Sequence, residues 1–90
     1  MLGNLENLIK IVRERKLKSV KDSYTNKLLK DVQFSRSKVL EEINELIDSV
    51  DKNSNIIHEG ADVLYHLIVY LEANNIKIED IMEELKKRRK

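Results

Sequence analysis

Apolar residues recur at helical spacing along almost the whole chain, and the pattern divides into five segments. Leu5, Leu8, Ile9 and Val12 share one face of a helix predicted from Leu2 to Lys16. A polar stretch, Leu17 to Asp22, follows, and Ser23 can cap a short second helix carrying Tyr24, Leu28 and Leu29. Asp31 to Ser35 reads as a loop. A third helix starts near Ser35 or Ser37 and runs to about Val50, with Val39, Leu40, Ile43, Leu46, Ile47 and Val50 as its apolar stripe. Asp51 to Asn55 form a turn, with Asn53, Ser54 and Asn55 as cap candidates. The fourth helix runs to about Ala73, where Asn74 and Asn75 suit its C-terminal cap. The last begins near Ile78 and ends in the basic run Lys86 to Lys90. Proline is absent and the only glycines are Gly3 and Gly60, which favours helix throughout. The expected fold class is all-α: a compact bundle of four to five helices around a central antiparallel hairpin.

That hairpin carries two mirrored acidic pairs. Glu42 and Glu45 lie on its first helix, Glu59 and Asp62 on its second, each pair at i,i+3 spacing and so on one helix face. With the turn centred near Lys52 and Asn53, Glu45 sits level with Glu59 and Glu42 level with Asp62. The two levels are about 4.5 Å apart, from a rise of about 1.5 Å per residue. Four carboxylates converging between packed helices repel one another unless a cation lies among them, and Mg²⁺ or Mn²⁺ is the natural candidate. From Ala61 to Leu71 only Asp62 and His66 are not apolar, so Asp62 belongs to a helix expected to be buried on most sides. A carboxylate there needs a cation or strong hydrogen bonds. The competing reading is an inter-helix acidic patch neutralised by Lys or Arg. Asp80 and Glu83 have the same spacing, where a solvated face is the better reading.

Composition narrows the classes. Ninety residues make one domain, 1–90. The formal net charge is +1, so no overall field drives binding to nucleic acid or membrane. The basic tail is short and lacks interleaved aromatics, and positive charge there suits the end of a helix. Cysteine is absent, which excludes disulfides and thiol chemistry. No apolar run is long enough to span a bilayer, and the N-terminus lacks a signal-peptide core, so a cytoplasmic protein is expected. One small domain cannot easily cover every side of Ala61 to Leu71, and a homodimer with a helical-bundle interface is the expected solution. The other solution is a monomer whose first and last helices do the covering.

These residues match a family. The run Lys38 to Glu45, Lys-Val-Leu-Glu-Glu-Ile-Asn-Glu, resembles the Glu-Glu-x-x-Glu signature of the all-α, MazG-like nucleotide pyrophosphohydrolases. Glu59-Gly60-Ala61-Asp62 is similar to their Glu-x-x-Asp element. Ser23-Tyr24-Thr25-Asn26-Lys27-Leu28 and Ala61-Asp62-Val63-Leu64-Tyr65-His66-Leu67 resemble elements of the phosphoribosyl-ATP pyrophosphatases of histidine biosynthesis. Ile78 to Leu85 is similar too. Leu40 stands where the family usually has Gly, and Gly60 where it usually has a small residue such as Ala. Neither touches a proposed ligand.

The resemblance implies hydrolysis of phosphoribosyl-ATP to phosphoribosyl-AMP and pyrophosphate, with Mg²⁺ bridging carboxylates to phosphate oxygens. Glu42, Glu45, Glu59 and Asp62 are the expected metal ligands, and Glu41, Glu42 and Glu45 the expected catalytic set. Glu41 lies about 100° round the helix from Glu42 and fits better as an orienter of water, a ligand of a second ion, or a solvated residue. Tyr24, Lys27 and Lys38 are substrate-binding candidates. Lys38 lies one turn before Glu42, Lys27 is favoured by the resemblance, and Tyr24 can stack on a base or simply pack. Arg13, Arg15, Lys16 and Arg36 are further basic candidates against a background of ordinary surface charge. His66 shares a face with Glu59 and reads best as a hydrogen-bonded, partly buried histidine, while His58 reads as surface. A house-cleaning pyrophosphatase acting on other nucleoside triphosphates is the alternative enzyme. A helical interaction module without activity is the non-enzymatic one.

Overall fold

The computed structural model describes residues 1–89, with helices in the order α1 (Gly3–Leu17), α2 (Tyr24–Lys30), α3 (Val32–Lys52), α4 (Ile56–Ala73) and α5 (Ile78–Arg88). Lys90, the last residue of the basic run, lies outside the described residues. Among the described residues there is no strand, as the apolar periodicity requires.

Local chemistry sets the boundaries. The Ser23 hydroxyl accepts from the Asn26 N–H at 3.2 Å, closing the first turn of α2. The expected loop from Asp31 to Ser35 does not form. Asp31 ends α2 through its own N–H, which donates to the Lys27 carbonyl at 3.1 Å. It also opens α3 through its carboxylate, which accepts from the Phe34 N–H at 3.0 Å. One residue performs both caps, so α3 begins at Val32 and Ser35 lies buried inside it. At the far end α3 continues through Asp51 and Lys52, and the turn shrinks to Asn53, Ser54 and Asn55. Asn53 and Asn55 take left-handed backbone angles, φ 53° and 59°, which asparagine tolerates better than most residues. The Ser54 N–H donates back to the Ser49 carbonyl at 3.0 Å, a Schellman closure. Asn75 and Ile76 repeat that closure at the end of α4, with φ 58° at Asn75 and an Ile76 N–H to Leu71 carbonyl bond of 2.9 Å.

The α3–α4 hairpin is the most extensive helix pairing, and α2 lies across α4 with further contacts to α1 and α3. Val12, Leu28, Ile68, Val69 and Ile78 form the buried core, flanked by Leu5, Leu8, Ile9, Leu29, Phe34, Tyr65, Leu71 and Ile81. The predicted face of α1 is therefore its packed face. Ion pairs lock the ends of α1, α4 and α5 together. Glu72 is buried and meets Arg13 at 3.1 Å and Lys16 at 3.3 Å. The same Arg13 holds Glu79 at 2.6 and 2.8 Å. A carboxylate so enclosed is tolerated because two cations face it.

Two apolar stripes stay uncovered in the single chain. On α3 these are Leu40, Ile43, Ile47 and Val50, and on α4 Ile57, Leu64 and Leu67. Leu64 is 52% exposed although Val69 is fully buried five residues on, so α4 is apolar on two sides and covered on one.

Candidate active site

Each helix of the hairpin presents a triad of side chains able to ligate a metal. On α3, carboxylate oxygens of Glu41, Glu42 and Glu45 lie within 4.8 Å of one another. On α4, ligand atoms of His58, Glu59 and Asp62 do the same. The antiparallel pairing brings the two triads face to face. Glu45 of α3 and Glu59 of α4 line one pocket across the hairpin, and the Glu45 and Asp62 charges act on both Glu42 and Glu59. Glu45 opposite Glu59 agrees with the level alignment read from the sequence.

The seam is electrostatically costly. Burial first, then the neighbouring Glu45, pushes the Glu42 carboxyl above the usual carboxylate range. Glu59 is pushed up by the same two causes in the same order, with His58 opposing weakly. Glu42 is only 6% exposed. Its Oε2, and Oε2 of Glu59, are buried and accept no hydrogen bond among the described residues. A buried carboxylate oxygen without a donor is expensive. The donor set is carboxylate oxygen throughout the inner seam, which fits a hard cation such as Mg²⁺ or Mn²⁺. Glu42 and Glu45 of α3 and Glu59 and Asp62 of α4 are the residues that could supply such donors.

Other candidates sort by position. Lys38 Nζ lies 3.1 Å from Glu41 Oε2 and 3.6 Å from Glu42 Oε1, at the edge of the seam. Glu41 is exposed, yet an oxygen of its carboxylate reaches the α3 triad, closer than its angular offset from Glu42 predicts. A long side chain bridges the offset between adjacent helix positions. His58 is exposed as expected, but it is not idle: Nε2 lies 3.3 Å from Asp62 Oδ2. The signal was the i,i+4 spacing between the two. His66 is buried and hydrogen-bonded on both sides. Tyr24 stacks on Tyr65 with ring centroids 6.2 Å apart and meets the Phe34 ring edge-on. Lys27 Nζ sits 4.6 Å above the Phe34 ring, a cation–π contact beside Tyr24 rather than in the seam. Arg13 and Lys16 are committed to Glu72, and Arg15 donates to Ser23 Oγ at 2.8 Å. A separate groove between α1 and α5, lined by Ile9, Leu17, Ile78 and Met82, lies away from these carboxylates.

Comparison with known proteins bears on this geometry. The phosphoribosyl-ATP pyrophosphohydrolase family matches residues 5–89. The phosphoribosyl-ATP pyrophosphatase of Clostridium acetobutylicum is 40% identical over 87 residues, covering 93% of this chain and 79% of that protein. That of Methanococcoides burtonii is 40% identical over 90 residues, covering 94% and 91%. The histidine biosynthesis bifunctional protein HisIE of Pyrococcus furiosus is 40% identical over 92 residues, covering 99% of this chain but 43% of its own length. The chain thus spans less than half of that bifunctional relative. With five helices, a carboxylate-lined hairpin and a match that takes in nearly every residue, the chain belongs to the phosphoribosyl-ATP pyrophosphohydrolase family.

Proposed function

We propose that the chain hydrolyses phosphoribosyl-ATP to phosphoribosyl-AMP and pyrophosphate, a step of histidine biosynthesis, using Mg²⁺ or Mn²⁺ held by Glu42, Glu45, Glu59 and Asp62. Family membership supports the reaction. The observation that carries the metal reading is the pair of orphaned oxygens, Glu42 Oε2 and Glu59 Oε2, one on each helix of the hairpin. A bound cation supplies charge neutralisation for the carboxylates and for the departing pyrophosphate.

The side chains of the chain do the remaining work. Glu45 of α3, lining one pocket with Glu59 of α4, would supply an oxygen ligand between the two helices. Glu41, at the exposed edge, is placed to orient a water and to accept its proton as oxygen bonds to the α-phosphorus. The bond from that phosphorus to the pyrophosphate oxygen breaks on the opposite side. Lys38, Lys27 and Tyr24 supply charge and an aromatic face on the α2 side of the seam for the rest of the substrate.

The working form is a homodimer in this reading, and its site of action the cytoplasm. The exposed stripes Leu40–Ile43–Ile47–Val50 and Ile57–Leu64–Leu67 support association through the hairpin. Among the described residues no helix is long and apolar enough to cross a membrane.

Pyrophosphate release from phosphoribosyl-ATP, with and without Mg²⁺ and against a panel of nucleoside triphosphates, tests the reading. Mg²⁺-dependent release from phosphoribosyl-ATP alone is the expected result. Release from ATP or other triphosphates instead moves the chain to the house-cleaning alternative. No release from any substrate leaves an inactive helical module.

A further inference from the structure

The geometry points to Lys38 as a built-in counter-cation of the acidic seam, which a divalent ion displaces and which then pairs with the substrate's phosphates. The inference rests on the metal-binding reading of the same seam. The Lys38 ammonium lies 3.1 Å from Glu41 and 3.6 Å from Glu42, and its side chain is only 22% exposed, so it is packed against the carboxylates rather than trailing in solvent. It addresses Oε1 of Glu42 and leaves the buried Oε2 without a partner. A lysine therefore neutralises this carboxylate only in part.

A divalent cation drawing on Glu42 approaches the same carboxylate that Lys38 faces. Two cations on one carboxylate repel across a few ångströms in a half-buried setting. The lysine is the one that yields, because its charge rides on a flexible four-carbon stem. No backbone movement is required, since Lys38 and Glu42 are a single turn apart on α3. The released ammonium stays beside the seam, because its stem is anchored on α3 one turn from Glu42. A polyphosphate bridged by the same ion brings anionic oxygens to this edge, and Lys38 exchanges a carboxylate partner for a phosphate one.

The exchange predicts opposite effects on two ligands, which a merely structural role does not. Mn²⁺ binding to the full chain is measured by electron paramagnetic resonance for wild type, Lys38→Met and Lys10→Met. The last removes an exposed lysine of α1 that lines the α1–α5 groove, away from the seam. Inorganic pyrophosphate binding at saturating Mn²⁺ is then followed by calorimetry. Lys38→Met is expected to bind Mn²⁺ about tenfold more tightly and pyrophosphate about tenfold more weakly, the scale of one nearby unit charge under partial screening. Lys10→Met moves either affinity by less than about twofold. Unchanged or weaker Mn²⁺ binding in Lys38→Met overturns the inference and leaves the metal reading standing. Tighter Mn²⁺ binding with unaltered pyrophosphate binding also overturns it, because the handover to phosphate is then absent. Failure of wild type to bind Mn²⁺ overturns the metal reading itself. Lys38→Gln, checked by circular dichroism, provides the same test should the methionine variant not fold.

Discussion

The Tyr24 hydroxyl stands 2.9 Å from Nε2 of His66, while Nδ1 of that ring lies 2.7 Å from the Asp62 carbonyl. A carbonyl only accepts, so Nδ1 carries the hydrogen, and the neutral ring offers Nε2 as acceptor for the Tyr24 hydroxyl. The ring therefore ties α2 to the turn of α4 that carries Asp62. Tyr24→Phe keeps the stacking on Tyr65 and deletes only the hydroxyl, leaving a buried ring nitrogen without a partner. The expected cost is about 1–2 kcal/mol of stability, measured by urea denaturation.

Replacement of Glu45 by Gln, or of Asp62 by Asn, keeps shape and removes charge. Turnover is expected to fall by about 10²-fold or more, the scale of losing a group that positions charge at a reacting centre. The helical circular dichroism signal should be retained. Full activity in either variant removes that residue from the ligand set.

Stability and activity should part company at Glu42. Its carboxyl is held above the ordinary range by burial and by Glu45, so the folded state binds this proton more tightly than the unfolded state. The resulting penalty is absent below the unfolded carboxyl range, about pH 4, and grows as pH rises through the folded value. Glu42→Gln, in the presence of EDTA, is accordingly expected to melt at a higher temperature than wild type at pH 7 and at the same temperature near pH 4. Hydrolysis is lost in the same variant. A Tm at pH 7 equal to or below that of wild type contradicts this account of the seam.

The Arg13–Glu79 pair has the opposite sign. The guanidinium holds the Glu79 carboxyl down to about 2 from an ordinary 4.5. Its stabilisation is complete above about 4.5 and disappears as pH falls to about 2. The stability difference between wild type and Glu79→Gln should close over that window, and high salt should shrink it at neutral pH, because the pair is exposed. Acid titrations of both proteins by circular dichroism read the difference.

Association through the hairpin has its own probe. Leu64→Lys places a charge in the uncovered stripe of α4 without touching the seam. Sedimentation equilibrium is expected to show wild type as a dimer and this variant as a monomer at micromolar concentration. A variant that remains dimeric moves the interface elsewhere.

Much of this architecture was legible because it is local. The five apolar patterns, the Ser23 cap and the i,i+3 acidic pairs each depend on residues a turn or two apart, and period alone reveals them. Asp31 misled because a polar cluster reads as a loop, whereas one carboxylate can end a helix and start the next. His58 is a surface residue, as its sequence setting indicates, and its contact with Asp62 follows from their i,i+4 spacing. The Arg13, Lys16, Glu72 and Glu79 network had no signature, since its members lie far apart in sequence and meet only through the packing of α1 on α4 and α5. The apolar positions of α3 were readable, but their exposure was not, because periodicity identifies a face without saying what covers it.

The three-residue turn at Asn53–Ser54–Asn55 has a consequence for how the chain reaches its native form. All four proposed ligands lie on two helices joined by a three-residue connection, so their meeting needs no contribution from the termini. Local closures of this sort are among the earliest a chain makes. Closing the hairpin brings like charges together, so it forms against their repulsion. Ionic strength is therefore a lever on the folding rate: salt should accelerate refolding of wild type, and do so less when Glu42 is neutral.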